Sequence, residues 1–207
     1  RLESRVHALA RLGPFRAVLG QLHSELMLAR GLLDDAEQAA REALPYCWKD
    51  ERGVRQRTRL LTVIGRVELI TGRYAQAADT FHETLRLARS IQHRRLEAEA
   101  LNNLGEVAGK QTNYEDAVRR FRASLAIDRD IGERHNTGIK FANLGITYTA
   151  LGLHSRAERY LRRALEMHEA VGHAGLLNEA MVALGEVVHA LGDSTAAQTL
   201  LTDASTV

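Results

Sequence analysis

The sequence of 207 residues contains few cysteines, prolines, lysines and aromatic residues. Its one cysteine, Cys47, excludes an internal disulfide framework and is typical of a reducing cytoplasm. Its two prolines, Pro14 and Pro45, leave everything from Tyr46 onward free to form long helices. Aromatic residues make up 5% of the chain and all hydrophobic residues 45%, so the core must consist mainly of Leu, Ala, Val and Ile. That composition suits closely packed helices better than sheets.

Several classes of protein are disfavoured by the same kind of absence. No apolar run approaches membrane-spanning length, and no signal-peptide pattern opens the chain, so we expect no membrane partner. The net charge of +2 is too small to predict a strong electrostatic attraction for nucleic acid. Only three of the 28 basic residues are lysines, an arginine bias that indicates a GC-rich bacterial genome. Because the chain opens with Arg1 rather than Met, we expect it to be an excerpt from a longer protein.

A repeat of 40 residues organises most of the chain. Glycines that follow an aliphatic residue recur at this interval, an alanine stands 12 positions after each glycine, and a large apolar residue stands four positions further on. The glycines are Gly65, Gly105, Gly145 and Gly185; the alanines are Ala77, Ala117, Ala157 and Ala197; the apolar residues are Phe81, Phe121, Leu161 and Leu201. A repeat with this period indicates a stack of identical supersecondary units.

Each unit has the pattern of two helices joined by a tight turn. Apolar residues follow helical spacing on both sides of breaks at Gly72, Gly152 and Gly192, and a glycine beyond a helix end can close it in the left-handed conformation. Asn113, Asp193 and Ser194 are suitable caps for the second helices. We expect Gly105 and Ala117 to lie where the two helices of a unit cross. The predicted units are 1–13 (a partial helix ended by Gly13-Pro14), 14–48, 53–92, 93–132, 133–172 and 173–207, within a single domain.

The motif Leu104-Gly105…Tyr114…Ala117…Phe121…Ser124 resembles the signature of the tetratricopeptide repeat (TPR) family. The period of 40 rather than 34, and the missing proline at the end of the second helix, resemble the long repeats of kinesin light chains, LGN and bacterial transcriptional activators of the SARP and MalT types. The resemblance implies an all-α, right-handed superhelical α-solenoid of about five helix-turn-helix units plus an N-terminal helix. HEAT repeats have a similar period but lack the glycine–alanine pattern.

The resemblance also implies that the first helix of each unit, here called the A helix, lines a concave groove that binds a protein or peptide. Asn103 and Asn143 occupy the position of the asparagines that clamp a peptide backbone in the related adaptors, and an amide can both donate and accept. An asparagine that faces water, or that bonds to the next unit, is the alternative, and the Arg and Glu rows of the groove can instead be ion pairs between units. The predicted groove residues are Asn102, Asn103, Asn143, Arg59, Arg66, Glu99, Glu106, Ile139, Ile146, Glu179 and Glu186.

No catalytic, metal or cofactor motif emerges from the sequence, so we expect neither an enzyme nor a cofactor. The segment from Gly105 to Thr112 fails the phosphate-loop pattern in spacing. The histidines, including His135, His154, His168 and His173, show no metal-ligand spacing, and Cys47 has no base placed beside it. The basic run Lys49, Arg52, Arg55, Arg57 and Arg59 is too narrow to predict direct nucleic-acid binding.

We therefore predict a cytoplasmic adaptor or sensor module that binds a protein or peptide, as the regulatory TPR region of a bacterial transcriptional regulator. The alternative is a self-assembly scaffold that forms homo-oligomers through its end repeats. Its driving force would be an apolar edge of Leu2, Val6 and Leu9.

Overall fold

A computed structural model describes residues 2–134 and 136–205, apart from the side chains of residues 2–12 and of Pro14. Throughout these residues the regular structure is helical, without a strand. A short 3₁₀ helix, Leu44–Tyr46, follows α2. The α-helices are α1 (Leu2–Ala29), α2 (Leu33–Ala43), α3 (Glu51–Ile70), α4 (Tyr74–Ser90), α5 (Arg94–Lys110), α6 (Tyr114–Ile131), α7 (Thr137–Ala150), α8 (His154–Val171), α9 (Ala174–Ala190) and α10 (Ser194–Ala204).

The chain forms two compact units, Arg1–Asn103 (unit 1) and Leu104–Val207 (unit 2). In unit 1, α1 pairs with α2 and α3 pairs with α4, while α2 also packs against α3. In unit 2, α7 pairs with α8 and α9 pairs with α10, while α6 packs against α7 and α8 against α9. The all-α repeat of helix-turn-helix hairpins predicted from the sequence is therefore confirmed.

Unit 1 and unit 2 each have an apolar core of their own. In both cores alanine is the most frequent buried residue on the second helices of the hairpins. The core of unit 1 includes Ala36, Ala40, Leu60, Ile64 and Val67. The core of unit 2 includes Ala117, Phe121, Leu144, Ala157, Leu161, Leu184 and Val187. Small residues on one helix let the large residues of its neighbours reach the interior, which explains why so few aromatic residues suffice.

The repeated glycines make room for the large apolar residue of the paired helix. A Cβ atom built on Gly65 would lie 2.6 Å from Phe81 Cε1, and one built on Gly105 would lie at the same distance from Phe121 Cε1. On Gly145 it would lie 2.5 Å from Leu161 Cγ. The nearest neighbour of the glycine is thus the residue four positions after the alanine, because the ring or branched side chain needs the space that a Cβ atom would fill.

The turns between paired helices close in the left-handed conformation. Gly72, Gly152 and Gly192 have φ angles of 77°, 70° and 97°. Thr112 stands at the corresponding place after α5 and has a φ of 60°, although a β-branched residue is strained there. The turn geometry is therefore set by the repeat even where its sequence lacks glycine.

The prediction that a first helix ends at Gly13-Pro14 is wrong, because α1 continues through both residues to Ala29. Proline fixes φ near the helical value and removes one backbone donor. The remainder of α1 packs against α2 and α3, and this packing keeps the chain helical beyond the proline.

The predicted helix caps are found at two of three positions. The side chain of Asn113 accepts a hydrogen bond from the amide of Asp116, and that of Asp193 accepts one from the amide of Ala196. Ser194 is instead the first residue of α10. Cys47 is half-buried against the core of unit 1, and burial raises the pKa of its thiol, which makes it a weaker nucleophile at neutral pH.

Candidate binding surface on the A helices

Unit 1 contains an open depression between its A helices, of about 520 Å³. Three elements form its walls: the end of α1, the middle of α3 and the start of α5. Three of the groove residues predicted from the sequence, Arg59, Arg66 and Glu99, line it together. The other lining residues are Glu25, Leu28, Ala29, Thr62, Val63, His93, Arg95 and Leu96.

The carboxylates of this depression have partners within their own helices. Glu99 accepts a hydrogen bond from Arg95 Nε at 3.3 Å, and Glu25 accepts one from Gln21 Nε2 at 3.0 Å. Glu99 thus pairs along α5 and not with Arg59 of α3. The alternative of an ion pair between these two A helices is absent from the described part of the chain.

Sequence reasoning missed several lining residues because they lie outside the repeated A-helix positions. His93 precedes α5, and its Nδ1 accepts a hydrogen bond from the amide of Leu96 at 3.3 Å. Glu25 lies on α1, whose path through Gly13-Pro14 was not predicted. Arg95 has an arginine counterpart at Arg55, but Gly175 stands at the equivalent place in the last hairpin, so the repeat did not mark this position.

In unit 2 the predicted groove residues differ in their exposure to solvent and in their hydrogen bonds. Asn143 donates to Glu106 Oε1 at 3.1 Å, so the amide proposed as a clamp is engaged with a neighbouring A helix in this structure. Ile146 is exposed and Ile139 half-buried. Glu179 and Glu186 are exposed on α9. A ligand contact of Asn143 would have to form beside the bond to Glu106 or replace it.

Asn102 and Asn103 lie side by side on α5 but differ in burial. Asn102 is buried, whereas Asn103 is half-buried. An asparagine that is largely removed from water needs internal hydrogen bonds, so Asn102 is a poor candidate for a ligand contact. Asn103 is the better one.

A buried ion pair in unit 2 was not predicted. Lys140 Nζ lies 2.5 Å from Asp128 Oδ2, and the two residues are 3% and 1% exposed. The other carboxylate oxygen, Asp128 Oδ1, is buried without a hydrogen-bond partner among the described residues. Alanine occupies the places equivalent to Lys140, at Ala100 and Ala180, so the sequence pattern alone marked this position as apolar.

The described histidines provide no metal site. Within the described residues, no group of three or more His, Cys, Asp or Glu side chains could hold a metal ion. His168 is buried, and this burial lowers the pKa of its imidazole, an effect increased by the neighbouring His173. His135 lies outside the described residues. None of the described helices combines the length and the apolar composition that a membrane-spanning helix requires.

Helical hairpins that recur every 40 residues around small residues define a helical-repeat protein, a class in which exposed helix faces serve as binding surfaces. A family model described as tetratricopeptide repeat matches residues 56–130, 96–170 and 136–207. The chain therefore belongs to the tetratricopeptide repeat family, whose fold is a protein-interaction scaffold. No curated protein matches the sequence.

Solved structures with the same fold cover nearly the whole chain at low identity. BtubC (BKLC) from P. vanneervenii is 20% identical with a TM-score of 0.79, covering 98% of this chain and 85% of its own. A Rap protein complexed with Competence and Sporulation Factor is 14% identical with a TM-score of 0.81, and the match covers 94% of this chain and 55% of the Rap chain. A STAND protein with a tetratricopeptide repeat sensor, PH0952 from Pyrococcus horikoshii, is 16% identical with a TM-score of 0.73, and the match covers 91% of this chain and 29% of the STAND chain. This chain thus spans only part of the length of the last two proteins.

Proposed function

We propose that this chain is an adaptor or sensor module that binds a protein or peptide on its A helices. The observation that carries the proposal is the depression of unit 1, where three A helices expose polar side chains around a partly apolar floor. Two structures of the same fold support it, since one is a complex with Competence and Sporulation Factor and the other contains a tetratricopeptide repeat sensor.

The test is selection from a phage-displayed random peptide library on the intact chain. We expect the selected peptides to lose affinity when A-helix residues are replaced, first in the separate variants Asn103→Ala and Asn143→Ala. An amide that clamps the peptide backbone predicts a loss of up to about tenfold, because each charge-neutral hydrogen bond contributes about 0.5–1.5 kcal/mol. Circular dichroism during heating would establish that each variant remains folded.

Two results of this selection would contradict the proposal. One is a library that yields no binder. The other is a set of binders whose affinity no A-helix substitution changes. A loss confined to substitutions in unit 1 would remove the clamp role from Asn143 while leaving the module a peptide binder.

We further propose that the module belongs to a cytoplasmic transcriptional regulator of a bacterium. The arginine bias supports the source, the single cysteine supports the compartment, and the resemblance to the SARP and MalT types supports the parent protein. Reading the complete coding sequence in the source genome provides the test. A DNA-binding domain in the same reading frame is the expected result, and a parent protein without one would contradict the assignment.

A second candidate function, self-assembly through the end hairpins, is favoured by exposed leucines on α1. Leu19 and Leu26 are 65% and 48% exposed, whereas their repeat equivalents Leu60 and Val67, which lie 41 residues later, are fully buried. Leu201 at the other end is likewise exposed, although its equivalents Phe81 and Leu161 are buried. The edge first suggested by Leu2, Val6 and Leu9 lies outside the described side chains.

Self-assembly of this kind has a direct measurement. If a second copy covers the leucines of α1, light scattering should show a mass that rises with concentration. The double variant Leu19→Glu/Leu26→Glu should stay monomeric, because two carboxylates would have to be buried in the contact. A strictly monomeric wild-type chain at high concentration would exclude this function.

A further inference from the structure

We propose that the depression of unit 1 is specific for an acidic peptide segment, held through its carboxylates by Arg59 and Arg66 of α3. This inference rests on the proposed peptide-binding function and adds the chemical class of the ligand. It is argued from the two guanidinium groups, from their spacing and from the floor between them.

The two arginines are available. Both are exposed, both line the depression, and neither makes a hydrogen bond or an ion pair with any described residue. A guanidinium group presents five N–H donors in a planar fork that matches a carboxylate, and it remains charged at all physiological pH values. Glu25 accepts a hydrogen bond from Gln21, and Glu99 accepts one from Arg95, so neither carboxylate is paired with Arg59 or Arg66.

The spacing of the arginines matches an extended peptide. Seven residues along α3 place Arg59 and Arg66 about 10.5 Å apart on one face of the helix. In the polyproline II conformation, side chains three residues apart project on the same side, about 9 Å from one another. Long arginine side chains readily accommodate the difference. Two acidic residues at positions i and i+3 can therefore contact both guanidinium groups at once.

The floor between the arginines is apolar. Val63 and Leu96 line it, and the hydroxyl of Thr62 is already donating to the carbonyl of Thr58 at 2.9 Å. Apolar side chains between the two acids could cover this floor. A nucleic-acid strand fits less well, because no phenylalanine, tyrosine or tryptophan stands among the lining residues to stack on a base.

The corresponding places in unit 2 do not repeat this arrangement. Isoleucine replaces both arginines on α7, at Ile139 and Ile146, and glutamate replaces them on α9, at Glu179 and Glu186. The acidic side chains of α9 would repel an acidic ligand. The inference therefore concerns unit 1 alone.

The test measures the binding of fluorescein-labelled peptides to the intact chain by fluorescence anisotropy. The acidic probe contains Asp-Leu-Pro-Asp between glycine and serine flanks, and the neutral probe contains Asn in place of both Asp residues. We expect the acidic probe to bind at least tenfold more tightly than the neutral probe in 50 mM salt. Its affinity should fall steeply as the salt concentration is raised.

Substitutions localise the site. Arg59→Ala and Arg66→Ala should each weaken the acidic probe about tenfold, which is the effect of one lost charge-assisted contact. The double variant Arg59→Glu/Arg66→Glu should abolish binding of the acidic probe. Arg86→Glu is the matched control, because Arg86 is an exposed arginine on α4 outside the depression and without a partner among the described residues. It should change the affinity less than twofold.

The outcomes separate this inference from the proposed function. Equal binding of both probes, or equal losses in Arg86→Glu and the Arg59 and Arg66 variants, would overturn the acidic specificity. If library selection nevertheless yields peptides that depend on the A helices, the peptide-binding function stands without it. A labelled single-stranded oligonucleotide that displaces the acidic probe and binds more tightly would assign the arginines to nucleic acid and overturn the inference as well.

Discussion

In unit 1 unpaired charge lies on the surface, where Arg59 and Arg66 face an open depression, whereas unit 2 buries an ion pair between Lys140 and Asp128. Both units are built from the same 40-residue hairpin, and Leu60 occupies in unit 1 the buried place that Lys140 occupies in unit 2. The comparison shows that the repeat determines which positions are buried but not the polarity of the side chain there. A charged residue at such a position requires a partner of opposite charge on the facing helix.

The largest expected effect comes from breaking the buried pair of unit 2. Asp128→Ala should lower the free energy of unfolding by about 3–5 kcal/mol, because it leaves the ammonium group of Lys140 buried and unpaired. Denaturation in urea, followed by circular dichroism, measures the loss.

The double variant Asp128→Ala/Lys140→Ala is the control for this prediction. It restores the alanines found at the equivalent places Ala88 and Ala100, so its stability should be within about 1 kcal/mol of the wild type. If the double variant were as unstable as the single one, the pair would matter for a reason other than the buried charge.

The next prediction tests whether a side chain at the glycine of the helix crossing destabilises unit 1 and unit 2 to the same extent. Gly65→Ala in unit 1 and Gly145→Ala in unit 2 should each destabilise by about 1–3 kcal/mol, because the new Cβ atom would overlap Phe81 or Leu161.

Gly185→Ala in the last hairpin is the matched comparison. Its Cβ atom would lie 3.2 Å from Leu201 Cγ, and Leu201 is partly exposed and can move. The gain in helix propensity, about 0.5–1 kcal/mol, should offset most of the contact. Thermal unfolding of the three variants gives the order, and an equal loss in all three would show that the crossing is equally tight throughout.

A smaller effect of opposite sign is expected at the turns. Thr112→Gly should stabilise the chain by about 1 kcal/mol, because it relieves a threonine held at a positive φ of 60°. The reverse change in unit 1, Gly72→Thr, should destabilise by a similar amount at a φ of 77°. Midpoints of urea denaturation distinguish the two, and a destabilising Thr112→Gly would mean that the threonine side chain contributes more than its backbone costs.

The smallest expected effects are changes of stability with pH, and the stabilities of unit 1 and unit 2 should change in different pH ranges. In unit 1 the hydrogen bond from Arg73, aided by Arg41, holds the pKa of Glu37 below its ordinary value of 4.5 despite partial burial. The folded state therefore binds this proton less readily than the unfolded state. The stabilisation is complete above pH 4.5 and is lost as the pH falls through the lowered pKa. Glu37→Gln should remove this part of the acid sensitivity in denaturation curves recorded between pH 6 and 3.

In unit 2 burial lowers the pKa of His168 below its ordinary value of 6.5, with repulsion from His173 adding to the effect and Glu179 opposing it. The unfolded state takes up the proton first as the pH falls, so stability is greatest above pH 6.5 and declines below it. In His168→Ala, which carries the residue found at Ala88, this decline should vanish whatever the absolute stability. A decline that persists unchanged would assign it to another group.

Much of the fold could be predicted from the sequence because its signals are local and repeated. Glycine at Gly105 and alanine at Ala117 indicate close packing, and Gly72, Gly152 and Gly192 indicate the turns after three of the A helices. The course of α1 could not be predicted in this way, since the local signal of Gly13-Pro14 is outweighed by packing against α2 and α3. Local rules fail where tertiary contacts contribute more free energy than the local preference.

The candidate site was predicted less completely than the fold. Arg59, Arg66 and Glu99 were placed on one surface by the repeat, and they line one depression in the structure. The engagement of Asn143 with Glu106 depends on side-chain geometry across neighbouring helices, which a single sequence does not encode in its spacing. The same holds for Glu25, which reaches the depression through the unexpected length of α1.

The pairing of helices into hairpins every 40 residues can be predicted from the sequence, because a helix period and a glycine position are properties of a short segment. Which charges are free and which are paired follows only from the three-dimensional packing. The repeat predicts that both Arg59 and Glu99 line the groove. In the structure Glu99 forms an ion pair with Arg95 on its own helix, and Arg59 has no ion-pair partner among the described residues. The physical reason is that the pairing of long side chains depends on distances of a few ångströms between atoms, which only packing in three dimensions fixes.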